Sequence, residues 1–164
     1  MIRMHPNNKF MDLMEYIPKD IIMAEIGCYA GESTVMFMQK AKLLYAIDPW
    51  QAGYDHSDPA SGSDFEVVED AFDRNTRGLN IVKLKGTMLE AVEVLPELDM
   101  VYIDGCHKYS YVRNDIALSL QVVRSGGIIA GHDYQHGPVV IAVQRLLGEP
   151  DKIFPDNSWL KHIK

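Results

Sequence analysis

Cysteine occurs twice in the 164 residues, at Cys28 and Cys106. Two thiols make neither a disulfide framework nor a zinc-ligand spacing, and they agree with a reduced, cytoplasmic setting. Positive charge is also scarce: 16 Lys and Arg stand against 23 Asp and Glu, a formal charge of -7. Nucleic-acid binders usually carry a basic patch, and no Lys/Arg cluster is found here, so no nucleic-acid partner is expected. No apolar run approaches the roughly 18 residues of a membrane span. The opening stretch MIRMHPNNKF lacks the apolar core of a signal peptide. Repeats, linkers and low-complexity tracts are missing as well. So is G-x-G-x-x-G, the glycine spacing of a dinucleotide turn, which argues against a nicotinamide-dependent oxidoreductase.

What remains is a composition able to build a core, with 47% hydrophobic residues. Residues 1–164 are most simply one domain. Short apolar runs alternate with helical patterns. IIMAEIGC (21–28), KLLYAIDPW (42–50), IVKLKG (81–86), LDMVYIDG (98–105) and GIIAGHDY (127–134) read as strands. Between them, 31–41, 63–77, 87–95, 109–125 and 138–148 read as helices, the fourth ended by Gly126 and Gly127. KIFPD and SWLKHIK suggest two closing strands. Residues 1–20 form a helical extension in this reading, and the loop at 51–63 is a candidate lid. Strict alternation with fully apolar strands implies an α/β, Rossmann-like doubly wound sheet of seven mostly parallel strands, with helices on both faces. Ligands of such folds bind beyond the carboxyl ends of the strands.

The polar residues concentrate at those ends. After the first strand stand Glu25, Gly27, Tyr29, Gly31 and Ser33. Glycines admit close backbone approach, and Ser33 near a helix start could hold a carboxylate; a plain strand–helix turn is the competing reading. Asp48 closes the second strand, placed to accept from both hydroxyls of a ribose. Trp50 could flank the ligand or belong to the core. Gly86 and Thr87 could border an adenine, with Thr87 equally readable as an N-cap. The fourth strand ends with Asp104 and His107, the fifth with His132 and Asp133. Two carboxylates and two imidazoles on adjacent strand ends make an acid–base or metal cluster.

Taken together, these motifs resemble class I S-adenosylmethionine-dependent methyltransferases. EIGCYAGES is similar to the E-x-G-x-x-x-G-x-S motif of the small-molecule O-methyltransferases around catechol O-methyltransferase. AIDPW, IDGCHKY and GGIIAGHDY resemble small bacterial enzymes of sugar and natural-product tailoring. The resemblance implies that Gly27, Tyr29, Gly31 and Ser33 line the methionine part of S-adenosylmethionine, that Asp48 takes the ribose and that Gly86 and Thr87 flank the adenine, with Glu25 counted among the cofactor-binding residues. It puts Asp104 at the first metal-binding aspartate of the metal-dependent members, and His107 at the place of a catalytic lysine. His132-Asp133 replaces the usual Asp-Asn pair, so base and metal both stay open: His107 with Asp104 as catalytic residues, or Mg²⁺ or Mn²⁺ on Asp104, His132 and Asp133. O-methylation of a small hydroxylated acceptor, a sugar or phenolic metabolite, is the expected activity. A nicotinamide-dependent oxidoreductase and a non-catalytic S-adenosylmethionine-binding module are the alternatives. The core consumes almost all residues, so an open site, or one completed in a homo-oligomer, is expected.

Overall fold

The computed structural model describes residues 11–164. Its first element is a single helical turn, α1 (Met11–Met14); residues 1–10 of the expected helical extension lie outside the described part. The strands are β1 (Ile21–Ile26), β2 (Ala41–Asp48), β3 (Ile81–Lys85), β4 (Leu98–Ile103), β5 (Val123–Gly131), β6 (Lys152–Ile153) and β7 (Trp159–His162). The helices are α2 (Glu32–Phe37), α3 (Phe65–Asn75), α4 (Met88–Ala91), α5 (Tyr109–Val122) and α6 (Gly137–Leu147). All seven strands join one sheet in the order β3-β2-β1-β4-β5-β7-β6. The first five are parallel, and β7 runs antiparallel to β5 and β6.

Strand residues alternate between two buried layers, as a pleated strand covered on both faces requires. Met23, Met100 and Tyr102 point into one layer with Phe37 and Phe72. Ala24, Val101 and Ile103 point into the other, with Ile116, Val143 and Trp159. Helix α3 joins the first layer through Phe65, Val68, Ala71 and Phe72, one helical face. Its start is fixed by Asp64, whose carboxylate accepts from the N–H groups of Glu66 and Val67 at 3.1 and 3.4 Å. Sequence order reverses between β1 and β4, and the crevice beyond their carboxyl ends is the ligand position of an open α/β sheet. Among the described residues no helix is long and apolar enough to cross a membrane.

Three boundaries differ from expectation. Helix α2 ends at Phe37, not 41, because Ala41 already pairs with Ile21 in the sheet. Helix α4 is a single turn. Strand β5 begins at Val123, where a helix was expected to run to 125. Val123 pairs with Leu98, and the register then shifts before Ile128 meets Met100. Gly126 and Gly127 therefore build a bulge rather than a helix end. A Cβ on Gly127 would lie 2.6 Å from Val123 Cγ1 and 2.9 Å from the Asp99 carbonyl.

Candidate functional site

The turn after β1 runs in left-handed backbone, with φ of 86° at Gly27, 47° at Tyr29 and 84° at Gly31. Glycine at 27 is demanded from within: a Cβ there would stand 2.2 Å from the carbonyl oxygen of Asp104. The turn thus presses the ends of β1 and β4 together, where the strand order reverses. Asp48 holds the same turn from the other side. Its carboxylate accepts from the N–H of Tyr29 at 2.9 Å and of Trp50 at 2.6 Å. Both donors sit at positive φ, unusual for non-glycine residues, so one aspartate fixes two strained positions. Trp50 is buried against Phe72, with its indole N–H on the Tyr29 carbonyl, so it belongs to the core.

Glu25 is fully buried. The hydroxyls of Ser33 and Thr34 both donate to it, the latter at 2.5 Å, and burial pushes its carboxyl up to about 7. Glu25 supports the turn from below and lies outside the cleft walls, whereas Ser33 lines the cleft. Gly31 packs against the Phe72 ring and also stays behind the turn.

Two connected hollows open over the strand ends. One, open to solvent, spans about 710 Å³ between Gly27, Asp48, Gly86, Thr87, Asp104 and Asp115. The other, of about 740 Å³, reaches from Gly27 and Ser33 to Asp104, His107 and Asp133. Gly27, Tyr29, Tyr54 and Asp104 line both. Thr87 serves two purposes: it faces the first hollow and caps α4 in a reciprocal box with Glu90.

At the junction with β5, His107 Nε2 lies 2.7 Å from Asp133 Oδ2. Asp133 is itself at φ 63°. Asp104, His107 and Asp133 each offer one ligand atom, all within 4.8 Å of one another. His132 is not in this group; its Nδ1 lies 3.3 Å from Asp133 Oδ1. The geometry thus brings His107, rather than His132, together with Asp104 and Asp133. Burial raises Asp104 to about 7, against the pull of His132 and His107. Burial also works to raise Asp133, but hydrogen bonds from His107 and His132 outweigh it and hold the carboxyl well below the usual range. The Asp133 hydrogen bond raises His107 despite burial. Burial lowers His132, and Asp133 and Asp104 more than restore it. A carboxylate that orients and strengthens an imidazole is general-base machinery. The same three donors form an oxygen-and-nitrogen cage suited to a divalent cation.

From the loop 51–63, Tyr54 lines both hollows, Gln51 the first, and Asp58 and Ala60 the second. The Tyr54 hydroxyl donates to Asp58 at 2.7 Å and its carbonyl accepts from Lys108 Nζ at 2.9 Å. Wall residues that sequence reasoning missed are Tyr54, Phe65, Cys106, Tyr111 and Asp115. Asp115 did leave a signal, being an acid on the same α5 face as Val112, Ile116 and Ser119.

The strand order β3-β2-β1-β4-β5-β7-β6 with β7 antiparallel, and a glycine turn and strand-end acid beside its switch point, is the class I methyltransferase fold. The chain belongs to the methyltransferase-domain family, which it matches over residues 24–134, a family of S-adenosylmethionine-dependent enzymes. It is 30% identical over 124 residues to the uncharacterized protein R132 of Acanthamoeba polyphaga mimivirus, covering 71% of this chain and 52% of that one. The chain thus spans about half the length of that curated relative. In fold it is similar to an rRNA methylase from Streptococcus thermophilus (13% identity, 100% and 99% of the two chains, TM-score 0.63). The N-methyltransferase NodS from Bradyrhizobium japonicum WM9 shares it too (16%, 96% and 96%, 0.63). So does the O-methyltransferase NovP (14%, 93% and 75%, 0.63).

Proposed function

We propose that this protein transfers the methyl group of S-adenosylmethionine to a hydroxyl of a small acceptor of sugar or phenolic type. The observation that carries the reading is the His107–Asp133 pair, 2.7 Å apart, in the hollow that also contains Gly27 and Ser33. The residues fit the cofactor in parts. Asp48 faces a ribose position, and Gly86 and Thr87 border the deep end. Ser33 opens α2 beside the place for an amino-acid carboxylate. When bound, S-adenosylmethionine supplies a methyl group already activated on a sulfonium.

The chain must align an acceptor oxygen and take its proton. With Nε2–H donated to the ionised Asp133, the lone pair of His107 is at Nδ1, the atom that receives the proton. Asp133, held ionised by its imidazole partners, adds negative charge where a sulfonium is neutralised. The net charge of -7 favours a small acceptor over a phosphate backbone.

A second reading is favoured by the convergence of Asp104, His107 and Asp133. These three would hold Mg²⁺ or Mn²⁺, which would lower the pKa of a bound hydroxyl by coordination. The imidazole tilts the preference toward Mn²⁺.

The test is turnover against a panel of hydroxylated acceptors, with His107→Ala and with chelator. The base reading expects His107→Ala to keep S-adenosylhomocysteine affinity and to lose roughly 10²–10⁴-fold in rate. Chelator-sensitive activity restored by Mn²⁺ supports the metal reading. Undiminished activity in both arms would remove both.

A further inference from the structure

Both hollows of the cleft are acidic: Asp48, Asp104 and Asp115 line the first, and Asp58, Asp104 and Asp133 the second. A third hollow has the opposite character. Open to solvent and spanning about 600 Å³, it is lined by Tyr109, Gly137, Pro138, Ile141 and Arg145, with no acid among them. Tyr109 begins α5, and Pro138, Ile141 and Arg145 follow one another along one side of α6.

This hollow starts where the Asp133–His107 pair ends. His136, the N-cap of α6, stacks on His107 with ring centres 5.2 Å apart and planes 11° from parallel. The next residue, Gly137, has no left-handed φ to explain it. A Cβ there would meet nothing within 4 Å among the described residues, so the position is open space and not a demand of the backbone. Ile141 then lies 45% exposed on the floor, an apolar surface that a soluble protein has no structural reason to place there.

Arg145 closes the far end. One of its terminal nitrogens donates to the Tyr109 hydroxyl at 3.2 Å, and its guanidinium carbon lies 5.6 Å from the centre of that ring. Among the described residues no carboxylate pairs with it. An ordinary surface arginine moves freely in water; this one is pinned by a neutral phenol, with its charge uncompensated and most of its N–H donors open. A fixed planar fork of donors matches the paired oxygens of a phosphate or carboxylate.

We propose that this hollow is an anion subsite for the acceptor, with Arg145 gripping a phosphate or carboxylate while the acceptor's body lies over Pro138, Ile141 and Tyr109. The rise of α6 from Pro138 to Arg145 sets that anion roughly 10 Å from the hydroxyl beside His107. The substrate class narrows accordingly, to hydroxylated acceptors that carry an oxyanion, such as a phosphorylated sugar or a phenolic acid. The inference rests on the reading of His107 as the group that takes the acceptor's proton, and deepens it. It also divides the charges of the site: acids where the cationic cofactor would lie, an arginine where the acceptor's anion would.

Calorimetry with phenyl phosphate, benzoate and phenol tests this in the native protein, Arg145→Gln, Arg145→Lys and Ile141→Glu. Both altered side chains are exposed, so the fold should tolerate the changes. The tighter of the two oxyanions, which names the group, is expected to bind the native protein about ten- to a hundredfold better than phenol. Arg145→Gln should erase that preference, and Arg145→Lys should keep part of it, because the charge stays and the fork is lost. Ile141→Glu, an acid set in the hollow, should erase it as well. In turnover, acceptors with an oxyanion should show a lower KM than their neutral counterparts, and Arg145→Gln should bring the ratio near one. Oxyanions that bind no better than phenol overturn the subsite, as does a preference that survives Arg145→Gln. An Arg145-dependent preference in a protein that methylates no hydroxyl would keep the anion site and reject the methylation reading. Methylation of neutral acceptors with no oxyanion preference would reject the subsite alone.

Discussion

Glu25 is a buried acid whose partners, among the described residues, are two hydroxyls and no cation, and that arrangement has a consequence in pH. Its carboxyl is raised from an ordinary 4.5 to about 7 in the fold. Between those values the native state binds more protons than the unfolded chain, so stability falls as pH rises. The contribution is full below about 4.5, is lost through about 7, and amounts to about 3 kcal/mol. Glu25→Gln keeps the shape and removes the titration. Urea unfolding should therefore show the variant gaining on the native protein by about 3 kcal/mol between acidic and neutral pH. An equal difference at both pH values would mean that Glu25 is not buried as an acid. The sequence marked Glu25 as part of the cofactor turn; that it faces inward was not legible, because strand alternation does not say which layer is roofed by α2.

At the level of elements, the ends of β1 and β4 meet at Gly27 and Asp104. Gly27→Ala combines a left-handed φ of 86° with a Cβ only 2.2 Å from a backbone oxygen. A left-handed non-glycine residue costs about 1–2 kcal/mol, and overpacking about 1–3 more. The loss should total about 2–5 kcal/mol in chemical denaturation, with cofactor affinity falling in parallel as the strand ends part. A stable variant with native affinity would show that this junction yields easily. The elements themselves were legible from their periods: every expected strand is present, and the polar residues do gather at the carboxyl ends. Val122-Val123 was not, since two apolar residues after a helical pattern extend either a helix or a strand. Only the pairing of Val123 with Leu98 decides it. The exchange of His107 for His132 in the cluster has the same origin. Both lie beside a strand-end aspartate, and the loop path and the φ of 63° at Asp133 choose between them.

For the whole molecule, the strand order, the strained turn held by Asp48 and the two joined hollows converge on one ligand: an adenosyl group carrying an amino acid on sulfur. The turn has no need of the dinucleotide glycine spacing, because Gly27 answers to the crowding of Asp104 and leaves its N–H in the sheet with Ile47 at 2.9 Å. A pyrophosphate would find the buried Asp48 and the Asp104–Asp133 cluster beside it, the wrong sign of charge for such a ligand. The most direct measurement is titration calorimetry of the native protein with S-adenosylhomocysteine, with NAD as the control. One saturable site for S-adenosylhomocysteine and no heat with NAD is the result expected. Binding of NAD without binding of S-adenosylhomocysteine would contradict the assignment of the cleft.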